Sequence, residues 1–261
     1  MLMIRSALSR QWLIWLAKMA NLSFQHVLLS LFVTSGGTIG GWVLTAKFAG
    51  EKAALSFLQI GLTAVMVIAC TQTIFFLLGK KRLIYRILFN VSFALGIVWF
   101  MLCMLLPVLW VQSLTNGSKI ALFLFLFILC ADNILAARSQ FESKWKKGGK
   151  HFLNKYYDEN CRAIDWSEIL TEMKFSISLQ VWGVPKSLYP AISFISVFSM
   201  VAGLSFRNVY PTFSFFAWGI PSCLVISIFV QMIGLGIAQF LKVSFLEKQY
   251  GVPIALNDAK E

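Results

Sequence analysis

Apolar residues in this chain gather into six long runs, separated by short polar segments and by one long one. The runs are approximately Leu22 to Leu44, Leu55 to Leu78, Ile87 to Val111, Ile120 to Ala137, Leu188 to Phe206 and Phe213 to Leu241. Each is close to the roughly 20 residues that cross a hydrocarbon core. The pattern predicts an all-α polytopic integral membrane protein with six transmembrane helices, four before the long polar segment and two after it. The last run exceeds what a straight crossing needs, which predicts tilt, a kink at Pro221, or an interfacial start at Phe213, Phe215, Phe216 and Trp218.

Ahead of the first run, Ile4, Leu8, Trp12, Trp15 and Met19 share one helical face, with Ser6, Arg10, Lys18 and Asn21 roughly opposite. Residues 1–21 therefore read as an amphipathic helix in the membrane interface. Leu13 and Ile14 interrupt the polar face, so the same residues also read as the entry to the first span. No small-residue cleavage pattern ends the segment, which argues against a removable signal peptide.

The long polar segment, residues 138–187, has two halves of opposite charge. Lys144, Lys146, Lys147, Lys150 and Lys155 fall within residues 144–155 with no acid among them. Trp145 and Phe152 punctuate this half, a composition suited to an anionic membrane surface. The second half carries Asp158, Glu159, Asp165, Glu168 and Glu172 against Arg162 alone. Asp165 and Glu168 have capping-box spacing for an amphipathic helix with Ile169, Leu170, Met173 and Ile177 on its apolar stripe. This helix is expected to run along the membrane and to meet the break at Trp182 to Lys186 before the fifth span.

Charge then sets the orientation. Segments at the ends of the runs alternate between many and few Lys and Arg, 19 on one side against 4 on the other. By the positive-inside rule both termini and residues 138–187 are cytoplasmic, and residues 242–261 form a cytoplasmic tail in what reads as a bacterial inner membrane. Composition agrees: 58% of the 261 residues are hydrophobic and 13% charged, well below the quarter typical of soluble domains. The net charge of +12 fits anionic lipids. It argues less for nucleic acid, because the lysine cluster has no arginine and belongs to no nucleic-acid motif.

Several positions invite chemistry. Ser35 to Gly41 in the first run reads SGGTIGG, with Gly36 and Gly40, and Gly37 and Gly41, four apart. Ser30, Thr34 and Thr38 extend the stripe. This predicts a close-packed helix seam, either with another span of the same chain or with another subunit, including a second copy. Gln59, Thr63, Thr71, Gln72 and Thr73, and Gln231 and Gln239, are read as helix-to-helix or helix-to-self hydrogen-bonding groups rather than as a polar path. Asp132, followed by Asn133, is the one acidic residue within a run and the two form a candidate intramembrane polar site. It lies six residues before Arg138, about 9 Å along a helix. A structural partner, Arg138 or Lys186, competes with a coupling role.

Catalytic and metal signatures are missing from the sequence. There is no H-E-x-x-H, G-x-S-x-G or phosphate-binding glycine loop, and the five cysteines have no neighbours at ligand spacing. Asp132 to Arg138 departs by one position from the acid-to-Ala-Arg pattern of lipid-head-group transferases and lacks their following Gly and Asp residues. The expectation is a non-enzymatic membrane subunit, with no cofactor and no metal. It would anchor or assemble a larger complex of the secretion, conjugation or defence type through its cytoplasmic segment, with Lys144, Trp145, Lys146, Lys147 and Lys150 meeting anionic lipid or a protein partner. A small six-helix transporter or channel is the alternative.

Overall fold

The computed structural model describes residues 24–79, 82–158, 163–175, 179–181, 184–206 and 209–256; the segment expected to lie in the interface, residues 1–21, falls outside them. Seven helices follow in order: α1 (Phe24–Ala49), α2 (Glu51–Gly79), α3 (Leu83–Leu105), α4 (Asn116–Tyr156), α5 (Trp166–Met173), α6 (Tyr189–Phe206) and α7 (Pro211–Tyr250). A 3-10 turn, Leu106–Trp110, continues α3. Three two-residue strands, β1 (Tyr157–Asp158), β2 (Ala163–Ile164) and β3 (Ala255–Leu256), pair in that order, antiparallel and then parallel.

Helices α1, α2, α3 with its turn, α4 and α7 are long and apolar enough to cross a membrane. Their outward side chains suit lipid: Phe32 is 77% and Phe127 71% exposed, as is Phe194 of α6 at 73%. Soluble proteins do not leave apolar surface of this extent open to water. The chain is a membrane-embedded helical protein. Helix α6, at 18 residues, is shorter than the other five.

Helix α7 is the centre of the bundle, packing against α3, α4 and α6, while α1 and α2 pack on each other and on α3. The connection between α1 and α2 is the single residue Gly50, whose φ of 87° an L side chain would adopt only with strain. Pro221 lies inside α7 and cannot donate to the carbonyl of Ala217, four residues earlier. The Ser199 hydroxyl of α6, which donates to the Ser196 carbonyl at 2.9 Å, also reaches that carbonyl at 3.3 Å. The helix runs through the proline with a neighbour's polar group beside the freed acceptor, in keeping with an apolar environment.

The small-residue seam of α1 is intramolecular. A Cβ at Gly37 would lie 2.8 Å from the Phe100 backbone, and one at Gly41 would lie 2.7 Å from the Cys103 carbonyl and 2.3 Å from the Phe57 ring. Gly36 and Gly40 point elsewhere, with nothing within 4 Å of the first and only the Met104 side chain, at 3.5 Å, near the second. Polar links reinforce the seam. Gln72 Nε2 of α2 donates to Ser30 Oγ at 2.5 Å and to the Ser92 carbonyl at 3.1 Å, and Trp99 Nε1 donates to Thr38 Oγ1 at 3.0 Å. The exposed hydroxyls of Thr63, Thr71 and Thr73 return to the carbonyl four residues back in their own helix.

The sequence boundary expected at Arg138 is not a break in the backbone. Helix α4 continues without interruption from Asn116 to Tyr156, 41 residues, or about 60 Å at 1.5 Å per residue. The basic half of the expected loop is thus a helical extension. Its cause is an apolar face formed by Phe141, Trp145 and Phe152, which packs with the last turns of α7, with α5 and with the strands into a second hydrophobic core. That core sits beyond the apolar bundle and includes the buried residues Ile164, Trp166, Ile169, Leu246 and Ile254.

The C-terminal segment is not a free tail over its described length. After Gly251, in a left-handed conformation at φ 67°, the chain turns back. Leu83 N at the start of α3 then donates to the Ile254 carbonyl at 3.1 Å, and Ile254 N to Glu247 Oε1 at 3.1 Å. Glu247 also pairs with Arg82 at 2.9 Å.

Candidate functional site

Two places hold the residues the sequence singles out. The first is the outer face of the module built on the α4 extension. Lys146, Lys147 and Lys150 are exposed there, whereas Lys144 and Trp145 are drawn inward. Trp145 stacks on Trp166 and Phe141, with ring centroids at 5.8 and 6.0 Å, and Lys242 lies over its ring at 5.0 Å. It therefore serves as a core residue of the module. Lys144 Nζ donates to the Met173 carbonyl at 2.7 Å and to the Lys174 carbonyl, so a cation closes the negative C-terminal end of α5. Partial burial holds the Lys144 amine below its usual range.

Local sequence explains this geometry. Asp165 caps α5 by accepting from Glu168 N at 3.2 Å, the spacing expected of a capping residue. The helix ends at Met173, with Lys174 left-handed at φ 47°. Its apolar stripe, Ile169 and Met173, is buried in the module core, so α5 packs onto protein; Ile177 lies outside the described residues. Glycines at 148 and 149 leave room for the rings of Phe152 and Trp145, which would sit 2.6 Å from a Cβ at either position.

Glu172 joins α5 to α4. It accepts from Tyr156 OH at 2.7 Å and from Lys155 Nζ at 3.2 Å. The Tyr156 hydrogen bond first, and then Lys155, holds its carboxyl below the ordinary value of 4.5. A depressed carboxyl contributes stability above its unfolded pKa and loses it as pH falls through the folded value. Loss of hydrogen-exchange protection of the α5 amides, measured against their intrinsic rates, is therefore expected as pH drops below the ordinary value of 4.5. In Tyr156→Phe that acid-dependent step shrinks.

The second place lies inside the bundle. Asn133 is fully buried and clamps an extended piece of chain, residues 179–181. Its Nδ2 donates to the Gln180 carbonyl at 2.8 Å, and its Oδ1 accepts from Gln180 N at 3.1 Å and from Gln231 Nε2 at 2.5 Å. Leu179 packs into the apolar core of the bundle beside Leu129 and Val230. Tyr189, the first residue of α6, accepts from Val181 N through its hydroxyl at 3.3 Å.

Depth along the helices shows how unusual this is. Asn133 is five residues before Arg138, about 8 Å by helical rise. Non-helical backbone thus sits inside the apolar zone. There it is tolerated only when protein supplies its hydrogen bonds, and Asn133 does so. Phe175 stacks 5.9 Å from Phe141 outside the bundle, whereas Gln180 lies against Asn133 within it.

In the sequence Asn133 is a candidate polar site only together with Asp132, and nothing there gives it a partner. The signal that could have found it was an amide in one span matched by Gln231 in another. Asp132 itself is half-buried and has no ion pair among the described residues. Of its two expected partners, Arg138 pairs with Glu142 at 2.9 Å and the Lys186 side chain lies outside the described residues. No group of three His, Cys, Asp or Glu side chains able to hold a metal occurs among the described residues. Cys103 and Cys223 are buried packing residues, and Cys70 is exposed on the bundle.

Fold and sites together define a class: a polytopic helical membrane protein in which two over-long helices carry a packed module beyond the bundle. Comparison with protein-family models, with curated proteins and with solved structures found no match.

Proposed function

We propose that the chain is a non-catalytic subunit that anchors a larger membrane assembly, using the module on α4 and α7 to hold a partner in the cytoplasm. In this reading it crosses the membrane six times, α6 belonging to the fifth crossing. Both ends of the described chain then face the side where Lys and Arg concentrate.

The observation that carries the reading is the position of the exposed lysines. Along the rigid extension of α4, Lys146 and Lys150 lie about 12 and 18 Å past Arg138. The Debye length at physiological salt is about 8 Å. Lysines at that height act weakly on lipid headgroups and well on an acidic protein surface. The same helix is fixed by its own hydrophobic core, so the charges are presented with little conformational freedom to lose on binding.

A photo-crosslinking amino acid at Asn154, exposed beside the lysines, tests this in intact membranes. The expected result is a specific adduct with a cytoplasmic protein, weakened about tenfold by changing Lys146, Lys147 and Lys150 to Gln and further by added salt. Lipid adducts alone would refute it. So would solute or ion flux through the purified chain in liposomes that Asp132→Asn abolishes, which would establish the transporter reading instead.

A further inference from the structure

We propose that Asp132 is the docking point for a transmembrane helix of another subunit, one that carries a lysine or arginine at matching depth. The inference rests on the reading of this chain as a subunit of a larger assembly and names a second contact within it.

Asp132 lies inside the apolar zone. It is six residues before Arg138 on α4, which places it about 9 Å inside, beyond the reach of so short a side chain to the headgroups. The carboxyl has no hydrogen bond or ion pair among the described residues. An acid at such a position is costly unless paired, and Arg138 is engaged by Glu142 at 2.9 Å, the Lys186 side chain lying outside the described residues.

Its surroundings say what can pair with it. Leu124 is 56%, Ile128 53% and Leu135 62% exposed. With Asp132 they form a strip at helical spacing along a flank of α4 that the chain leaves uncovered. A bare metal cation would need several oxygen ligands to replace its water. Here the amide oxygen of Asn133 is already spent on Gln180 and Gln231, leaving one carboxylate. An ammonium or guanidinium brings its own donors and is satisfied by one carboxylate, and the helix that carries it fills the apolar strip.

The test uses the purified full chain in phosphatidylcholine and phosphatidylglycerol vesicles. The probe is a tryptophan-flanked Leu/Ala transmembrane peptide bearing one lysine about six residues from its cytoplasmic end, with association read by energy transfer between dyes. The peptide is expected to associate at least tenfold more tightly than its leucine counterpart. Asp132→Asn should remove the difference and Asp132→Glu retain it, while changing Lys146, Lys147 and Lys150 to Gln leaves it intact. Equal association of the two peptides, or a preference that survives Asp132→Asn, overturns the proposal. Because the peptide comparison needs no variant protein, a folding defect cannot imitate it. A lysine preference without any adduct at the module would refute the proposed cytoplasmic anchor and leave this contact standing.

Discussion

Asn133→Leu is expected to destabilise the protein by about 3 kcal/mol or more, since it strips partners from buried polar groups that each cost about 1–3 kcal/mol when left unpaired. The groups are Gln180 N and O, both held by the Asn133 amide at 3.1 and 2.8 Å, and Gln231 Nε2 at 2.5 Å. Leucine is of similar size but offers neither donor nor acceptor. Unfolding titration in mixed detergent micelles gives the magnitude. Hydrogen exchange at Gln180 and Val181 gives the mechanism: their amides should lose protection before the rest of the bundle does. If the variant loses stability while those amides stay protected, the clamp is not the cause.

Gly41→Leu should be comparably severe, about 3 kcal/mol, at the upper end of the usual cost of over-packing a filled interior. Even one carbon at that position meets the Cys103 carbonyl at 2.7 Å and the Phe57 ring at 2.3 Å. The ring can shift, but the carbonyl belongs to the backbone of α3, so α1 must move away. Gly36→Leu provides the internal control. Nothing lies within 4 Å of Gly36, and a change of about 0.5 kcal/mol or less is expected there, as at ordinary surface positions. The contrast, measured by thermal unfolding in detergent, separates the intramolecular seam from a homo-oligomeric one. A large effect at Gly36 with a small one at Gly41 would reverse the assignment.

The two glycines illustrate the limit of reading spacing alone. SGGTIGG contains two overlapping pairs four residues apart, and both offer the same close approach. Only the neighbours of α1 show that Gly37 and Gly41 face α3 and α2. The heaviest glycine packing elsewhere escaped the sequence reading because it has no four-residue spacing. Gly234 on α7 would put a Cβ 2.9 Å from Ile134 Cα, and Gly219 would put one 2.6 Å from Leu122.

The polar segment shows the same division. Its charge asymmetry and the Asp165 cap are local properties, and the cap forms where spacing places it. That Lys144 closes α5 and Trp145 joins a core depends on residues far along the chain, namely Met173 for the first and Trp166 and Lys242 for the second. Their approach is set by how α4, α5 and α7 pack.

What the sequence by itself determined was the solvent. Runs of apolar residues without charge cannot be hydrated at acceptable cost, and their length matches a bilayer, so a helical membrane protein follows from hydropathy alone. Tertiary structure decided where the helices stop and what the polar residues do. Phe141, Trp145 and Phe152 draw α4 past the apolar boundary because a second core waits there. Asn133 becomes a clamp because Gln231 and the backbone at Gln180 meet it in the packed interior.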